Sequence, residues 1–377
     1  MDIDRIEQEL RRLAATGDYD RVDYRLERSP GSRHETLVIG LRENDWGPNY
    51  LRLGMDLRTD FQGDGGFNLR ISHNRNWLTP SGTEWRNRIQ LGETTGLYSE
   101  IYQPLNLSDD VFVSAYADAR VRKLDILNRL GDDIARVKRE GLRVGADIGF
   151  PMGLLGRLGD VRVGLVAARR KVTPELVVGD VLARDIPPIQ WREAGLRVGL
   201  VSDQLDYANF PSAGYRLQAE AIAGRRSVNN APSTRFTRFD GTASVVRSWG
   251  EHTLNAGFRV AHATDIPVGA IDEYALGGFQ QLSGYRPGQI AGNYLAFGRL
   301  TYYQRLPWRT GVARAVFAGG SLELGNAWVD RRSVRLGDLR SGSSLFVGAD
   351  TGVGPLYLSL VHAARGYTGV YLFLGRP

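Results

Sequence analysis

A closed, sixteen-stranded transmembrane β-barrel is the fold this sequence predicts, and three observations predict it. From residue 49 onward apolar and polar residues alternate with a period of two, as a sheet with one oily and one wet face requires. Many of the alternating segments run beyond ten residues, whereas strands of soluble proteins average about five or six and a tilted membrane strand needs roughly 9 to 11. The gaps between segments are short and long by turns, the pattern of a barrel whose two rims face different compartments.

The sixteen segments lie at 49–61, 64–76, 82–92, 95–104, 110–123, 134–150, 159–170, 190–203, 212–226, 235–248, 251–263, 292–306, 312–329, 341–350, 354–364 and 366–375. In the first, Leu51, Leu53, Met55 and Leu57 alternate with Arg52, Gly54, Asp56 and Arg58. The same device recurs with Ala194, Leu196, Val198 and Leu200 against Glu193, Gly195, Arg197 and Gly199. Brief gaps at 78–81, 105–108, 151–158, 202–213, 250, 307–310 and 352–353 interleave with longer ones at 124–133, 171–189, 227–234, 264–291 and 330–340. Trp46, Trp77, Tyr98, Tyr102, Trp191, Trp249 and Trp308 fall near segment ends, where amphipathic rings serve as interface anchors.

Residues 3–16 predict a helix with Ile6, Leu10 and Leu13 on one face, followed by short strands at 19–27 and 33–42. So small a core needs more chain or a neighbour. Met1-Asp2-Ile3-Asp4 does not open a signal peptide, which an exported protein requires, so the chain reads as an internal fragment preceded by a leader and a larger N-terminal portion.

Composition closes off other classes. No run approaches the eighteen apolar residues of a membrane-spanning helix, a limit that leaves barrels untouched. With no cysteine there is neither a disulfide framework nor a thiolate ligand or nucleophile. His34, His73, His252, His262 and His362 show no metal-ligand spacing, so no metal or cofactor is expected. The net charge of +6 comes from arginines spaced along strands instead of grouped in a patch, which argues against nucleic acid as a partner.

Particular motifs carry a resemblance. Trp46-Gly47-Pro48-Asn49-Tyr50-Leu51-Arg52-Leu53-Gly54, Gly82-Thr83-Glu84-Trp85-Arg86-Asn87 and Tyr102-Gln103-Pro104-Leu105 resemble the C-terminal membrane domain of bacterial patatin-like phospholipases, the type Vd autotransporter-like branch of the Omp85 superfamily. The resemblance implies residues 1–45 as the later part of a periplasmic POTRA domain and 46–377 as an antiparallel outer-membrane barrel. Both termini would face the periplasm, and residues 264–291 would enter the barrel from outside as an inward-folded loop. Within that loop Leu282-Ser283-Gly284-Tyr285-Arg286 is similar to the family motif V/I-R-G-F/Y, and Glu323 in Ser321-Leu322-Glu323-Leu324-Gly325-Asn326-Ala327-Trp328 stands at the family's acidic wall position. Ser283 occupies the place of the motif arginine. Either Arg286 makes the ion pair with Glu323, or Ser283 and Tyr285 hold the loop by hydrogen bonds.

The resemblance also implies a lipid hydrolase upstream, outside this chain. The G-x-S-x-G turn of such an enzyme is absent, since Gly319-Gly320-Ser321-Leu322 runs into Glu323. Only His362 with Ser359 or Ser344 offers a pairing on the barrel itself. The expected role is therefore a non-enzymatic outer-membrane anchor or translocator, its partners the membrane lipids and the covalently linked upstream enzyme. The alternatives are a general Omp85-type translocon, for two-partner secretion or assembly, and a passive porin. A two-fold homodimer is compatible with all three.

Overall fold

The computed structural model describes residues 19–28, 35–43, 49–61, 63, 65–105, 110–128, 130–153, 158–177, 186–229, 231–267, 273–308, 311 and 313–377. The helix expected over 3–16, and Trp46, lie outside them. Strands β1 (Tyr19–Arg28) and β2 (Glu35–Glu43) form a separate two-stranded antiparallel sheet.

All sixteen predicted segments are strands. They are β3 (Asn49–Thr59), β4 (Gly65–Arg75), β5 (Glu84–Gly92), β6 (Thr94–Pro104), β7 (Phe112–Leu127), β8 (Asp133–Met152), β9 (Gly159–Val177), β10 (Ile189–Asp203), β11 (Ala213–Val228), β12 (Thr234–Trp249), β13 (His252–Ala263), β16 (Tyr294–Leu306), β17 (Ala313–Trp328), β18 (Arg340–Thr351), β19 (Gly354–His362) and β20 (Thr368–Leu374). The short pair β14 (Tyr274–Leu276) and β15 (Ile290–Gly292) lies between β13 and β16 as a sheet of its own. The sixteen close into one antiparallel barrel in which every strand pairs with its neighbours in sequence and β20 returns to β3. β9 runs to Val177, well past the expected end at 170, because Val172 finds a buried place against Val137 and Trp191 and keeps pairing with both flanking strands.

Alternation turns one face outward. Leu53 is 76% exposed, Leu51 67%, Leu322 67% and Leu345 68%, and similar leucines, valines and phenylalanines recur around the wall. An apolar belt of that extent is far larger than a soluble surface tolerates, so the barrel's outer face is built for hydrocarbon. The inner face carries the charges, with Glu100, Asp147, Glu193 and Glu323 all buried.

Two expectations need correction. Tyr98, Tyr102 and Trp191 are not interface anchors: their parity points them inward, where Tyr98 lines a cavity, Tyr102 is buried, and Trp191 donates its Nε1–H to Glu193 Oε1 at 2.9 Å. Trp77, Trp249 and Trp308 do lie exposed at strand ends. The gap at 202–213 is no simple turn, since it sends Phe210 into the lumen. The barrel closes, as expected, where β20 meets β3. β20 meets β3 only through Leu372, Phe373 and Leu374 opposite Thr59, Arg58 and Leu57. Gly375 follows with φ at +126°, its N–H still donating to the Pro355 carbonyl of β19 at 2.9 Å.

Candidate functional site

The segment between β13 and β16 folds into the barrel, and three separate ties hold it there. The first is at its tip. Glu323 projects from β17 into the lumen and is 2% exposed. Its Oε2 accepts the backbone N–H groups of Leu282 at 2.7 Å and Ser283 at 2.6 Å. Its Oε1 accepts the hydroxyls of Ser283 at 2.9 Å and Ser321 at 2.5 Å. Four donors on one carboxylate satisfy it without any cation, and charge-assisted bonds of this kind are about twice as strong as neutral ones. The tip can lie so close because glycines face it from both sides. A Cβ on Gly342 of β18 would come within 2.5 Å of the Ser283 carbonyl oxygen, and one on Gly284, where φ is +85°, within 2.5 Å of the Ala363 nitrogen. The carbonyl of Gly284 also accepts the N–H of Tyr367, at 2.7 Å.

The second tie is ionic and reaches the opposite wall. Glu273 sits just before β14, where Arg139 of β8 approaches it at 2.6 Å, Arg170 of β9 at 2.8 Å and Arg238 of β12 at 3.5 Å. Burial pushes this carboxyl upward, but the fields of Arg170, Arg139 and Arg238 outweigh it and hold it well below the usual carboxylate range. The third tie is Arg286. Its Nη1 donates to the carbonyl of Gly131, in the connection from β7 to β8, at 2.6 Å, and its Nη2 lies 3.3 Å from Asp133 at the start of β8. The geometry thus joins Leu282, Ser283 and Glu323, buries Tyr285 beside them with the Arg340 guanidinium over its ring, and sends Arg286 elsewhere.

Sequence reasoning missed Glu273 and its arginines. Nothing local marks them, because the three cations belong to strands more than thirty residues away and only the barrel register brings them together. It also missed a second lumen segment. Phe210 stacks on Phe317 at 4.2 Å and contacts Tyr357 at 5.1 Å, while Phe279 of the loop reaches the same Tyr357 at 5.2 Å. Asn209 donates to Asp350 at 2.9 Å and the Tyr303 hydroxyl to the Pro211 carbonyl, fixing the turn. A cavity of about 730 Å³ remains beside these segments, lined by Arg162, Arg197, Arg259 and Arg299 together with Glu100, Glu220 and Asp240. His362 makes no pair with the serines: its Nδ1 lies 2.7 Å from Thr368 Oγ1, whereas Ser359 and Ser344 bond to the Tyr371 carbonyl and to Ser321.

Solved structures of low sequence similarity share this architecture. BamA from Haemophilus ducreyi, in a form lacking POTRA domains 1–3, superposes with a TM-score of 0.69 at 14% identity, covering 98% of this chain and 77% of that one. The barrel resembles those of the Omp85 superfamily. CdiB from Acinetobacter baumannii gives a TM-score of 0.60 at 12% identity over 99% of this chain and 68% of its own, and CdiB from Escherichia coli 0.58 at 14% over 99% and 70%. No protein-family model and no curated sequence matches the chain. At such identities the likeness is one of fold, a sixteen-stranded barrel like those of BamA and CdiB.

Proposed function

We propose that this chain is a translocon barrel of the bacterial outer membrane, which accepts segments of other polypeptides at the seam between β3 and β20. The seam is the observation that carries the reading. An unpaired row of peptide groups beside hydrocarbon is strongly unfavourable, and an open sheet edge is the natural template for an incoming strand. Here β20 holds β3 through three residue pairs among the described residues, the shortest pairing in the barrel, while Leu51 and Leu53 of β3 present bare apolar side chains. A porin gains nothing from so short a seam, and the docked loop works against its open lumen. The likeness to BamA and CdiB barrels favours the same reading. We take the β1–β2 hairpin as the end of a periplasmic POTRA domain, with both termini on the periplasmic side.

A second reading rests on the motifs at 46–54, 82–87 and 102–105: the barrel anchors an upstream patatin-like lipid hydrolase, with the loop keeping the lumen shut. One experiment separates the two. Leu57→Cys with Leu374→Cys places the only two thiols on directly opposed residues of the seam. The protein in lipid vesicles should speed the folding of an unfolded eight-stranded outer-membrane barrel; oxidation should abolish this, and reduction restore it. Equal acceleration before and after oxidation rejects the seam as the working edge, and no acceleration in either state favours the anchor.

A further inference from the structure

The outer wall turns from apolar to charged in one sector of the barrel. On β9 the outward residues Val163, Leu165 and Ala167 lead to Arg169, and on β10 Val198, Leu196 and Ala194 lead to Arg192. On β11 Leu217, Ala221 and Ala223 lead to Arg225, and β12 reaches Arg235 from Val245 by the same parity. All four arginines are exposed and share the parity of the exposed leucines and valines, so they stand on the face turned to lipid. They lie toward the rim away from the chain termini, just past the apolar belt. Outside β7–β12 the strands reach this level with residues such as Thr59, Thr95, Tyr294, Ser343, His362 and Thr368, none a lysine or arginine.

Register brings the four together. Arg169 is directly opposite Arg192, and Arg225 directly opposite Arg235. Arg192 faces Ser227, which makes Arg225 its diagonal neighbour, about 7–8 Å away along the sheet. Like charges directly opposite on one sheet face are destabilising, and here two such pairs sit side by side. No carboxylate among the described residues answers them. Arg169 donates to the Gln190 side chain at 3.0 Å and Arg225 to the Ser233 hydroxyl at 3.4 Å, both neutral. The neighbouring β7 and β8 show the alternative: Lys123 faces Lys138, and Glu175 at 3.1 Å and Glu140 at 2.9 Å neutralise them. The arginine row thus keeps a repulsion that the same wall relieves one strand away. Against the end of the row lies a groove of about 600 Å³, bordered by Arg169, Lys171 and Glu140 and lined by Leu91, Leu97 and Leu142.

Arginine's planar fork pairs bidentately with phosphate. A phosphodiester brings one negative charge, whereas a phosphomonoester brings about 1.5 to 2 at neutral pH, and four cations fixed in one row match the denser anion. We propose that the outer wall of β9–β12 binds the phosphomonoester groups of a lipid of the lipid A class in the outer leaflet, with an acyl chain along the groove. Arg169 and Arg192 hold one phosphate, and Arg225 and Arg235 the other. The assignment rests on the orientation proposed above, with the chain termini periplasmic, and is the same for a translocon and for an anchor. In the strand order this sector lies across the barrel from the seam between β3 and β20. The bound lipid therefore clamps the wall that stays closed, and turns two repulsive pairs into bridged ones.

The test titrates the whole chain, folded in a neutral detergent, with bis-phosphorylated lipid A, with its dephosphorylated form and with phosphatidylglycerol. Native mass spectrometry and thermal unfolding should show saturable, stabilising binding of the first alone. Arg169→Gln combined with Arg192→Gln should weaken it by about tenfold or more, the scale of a lost charge-assisted bond. The same pair should leave the lipid-free protein at least as stable as before, because it removes a repulsion. Where it fails to fold, Arg225→Gln with Arg235→Gln carries the comparison. Arg247→Gln, an exposed outward arginine of β12 at the opposite rim, should leave binding unchanged. Lipid A bound no better than the other two lipids, or equally well by a folded double variant, overturns the site whatever the orientation. Orientation is read separately with Ala231→Cys, exposed between β11 and β12 in a chain with no other cysteine. A membrane-impermeant maleimide added to intact cells should label it. Labelling only after the outer membrane is opened reverses the proposed orientation and removes the outer-leaflet lipid as the occupant.

Discussion

The two carboxylates that hold the lumen loop are satisfied in opposite ways. Glu323 is a wall residue whose oxygens are filled by backbone N–H groups and hydroxyls, with no cation bound to it. Glu273 is a loop residue enclosed by three arginines from three wall strands. Backbone donors fix position within tenths of an ångström, because they belong to a chain that can take few shapes. Arginines supply attraction with far looser geometry. The tip is therefore held in one place by shape, and the base is held against the far wall by charge. A loop secured only by charge could slide, and one secured only at its tip could swing.

Breaking the first tie should have the largest effect. Glu323→Ala leaves the amides of Leu282 and Ser283 buried without acceptors, a loss on the order of 3 kcal/mol or more, and it removes the reason for the tip to stay down. We predict a clear rise in single-channel conductance, and a spin label at Gln281→Cys, on an exposed position of the loop in a chain with no other cysteine, should become mobile. Unchanged conductance and an immobile label would mean that the tip is held by packing alone. Glu273→Ala should do less, about 1 to 2 kcal/mol, because Arg170 and Arg238 retain Glu193 at 3.8 and 2.5 Å. The same label should then stay ordered, while one placed at Gln289 should loosen. If both labels respond alike to both substitutions, the loop is a single rigid unit and the two ties are not distinct.

The barrel was legible in the sequence because each strand carries its own signal: alternation in Leu51 to Arg58 needs no knowledge of the rest of the chain. The tip of the loop was legible to the same degree, since Ser283 and Glu323 sit in recognisable local patterns. What was not legible depends on register. Arg139, Arg170 and Arg238 look like any inward arginine until the strands are aligned and Glu273 is placed among them. Trp191 looked like an interface anchor for the same reason, because segment ends are visible in a sequence and the face a ring occupies depends on parity counted from an end known only to within a few residues. Phe210 was missed because a short gap containing Pro211 reads as a turn, and nothing in it reveals that the turn bends inward.

The smallest effect should come from acid, and it sharpens the contrast at the base of the loop. Glu273 lies outside the barrel strands and its folded-state pKa is held below the ordinary glutamate value of about 4.3. A group depressed in this direction contributes stability that is fully present above the unfolded value and disappears only as pH falls through the folded one. Lowering the pH from 7.5 to about 4.5 should therefore leave a spin label at Gln289 as ordered as before, with loosening confined to more acidic conditions. Loosening already complete at pH 4.5 would mean that the arginines do not dominate this carboxylate, and the ionic tie would then be weaker than its short distances imply. The arginines themselves stay charged throughout, so any acid effect at Gln289 that also appears in Glu273→Gln has another source, and the difference between the two proteins isolates the part that belongs to Glu273.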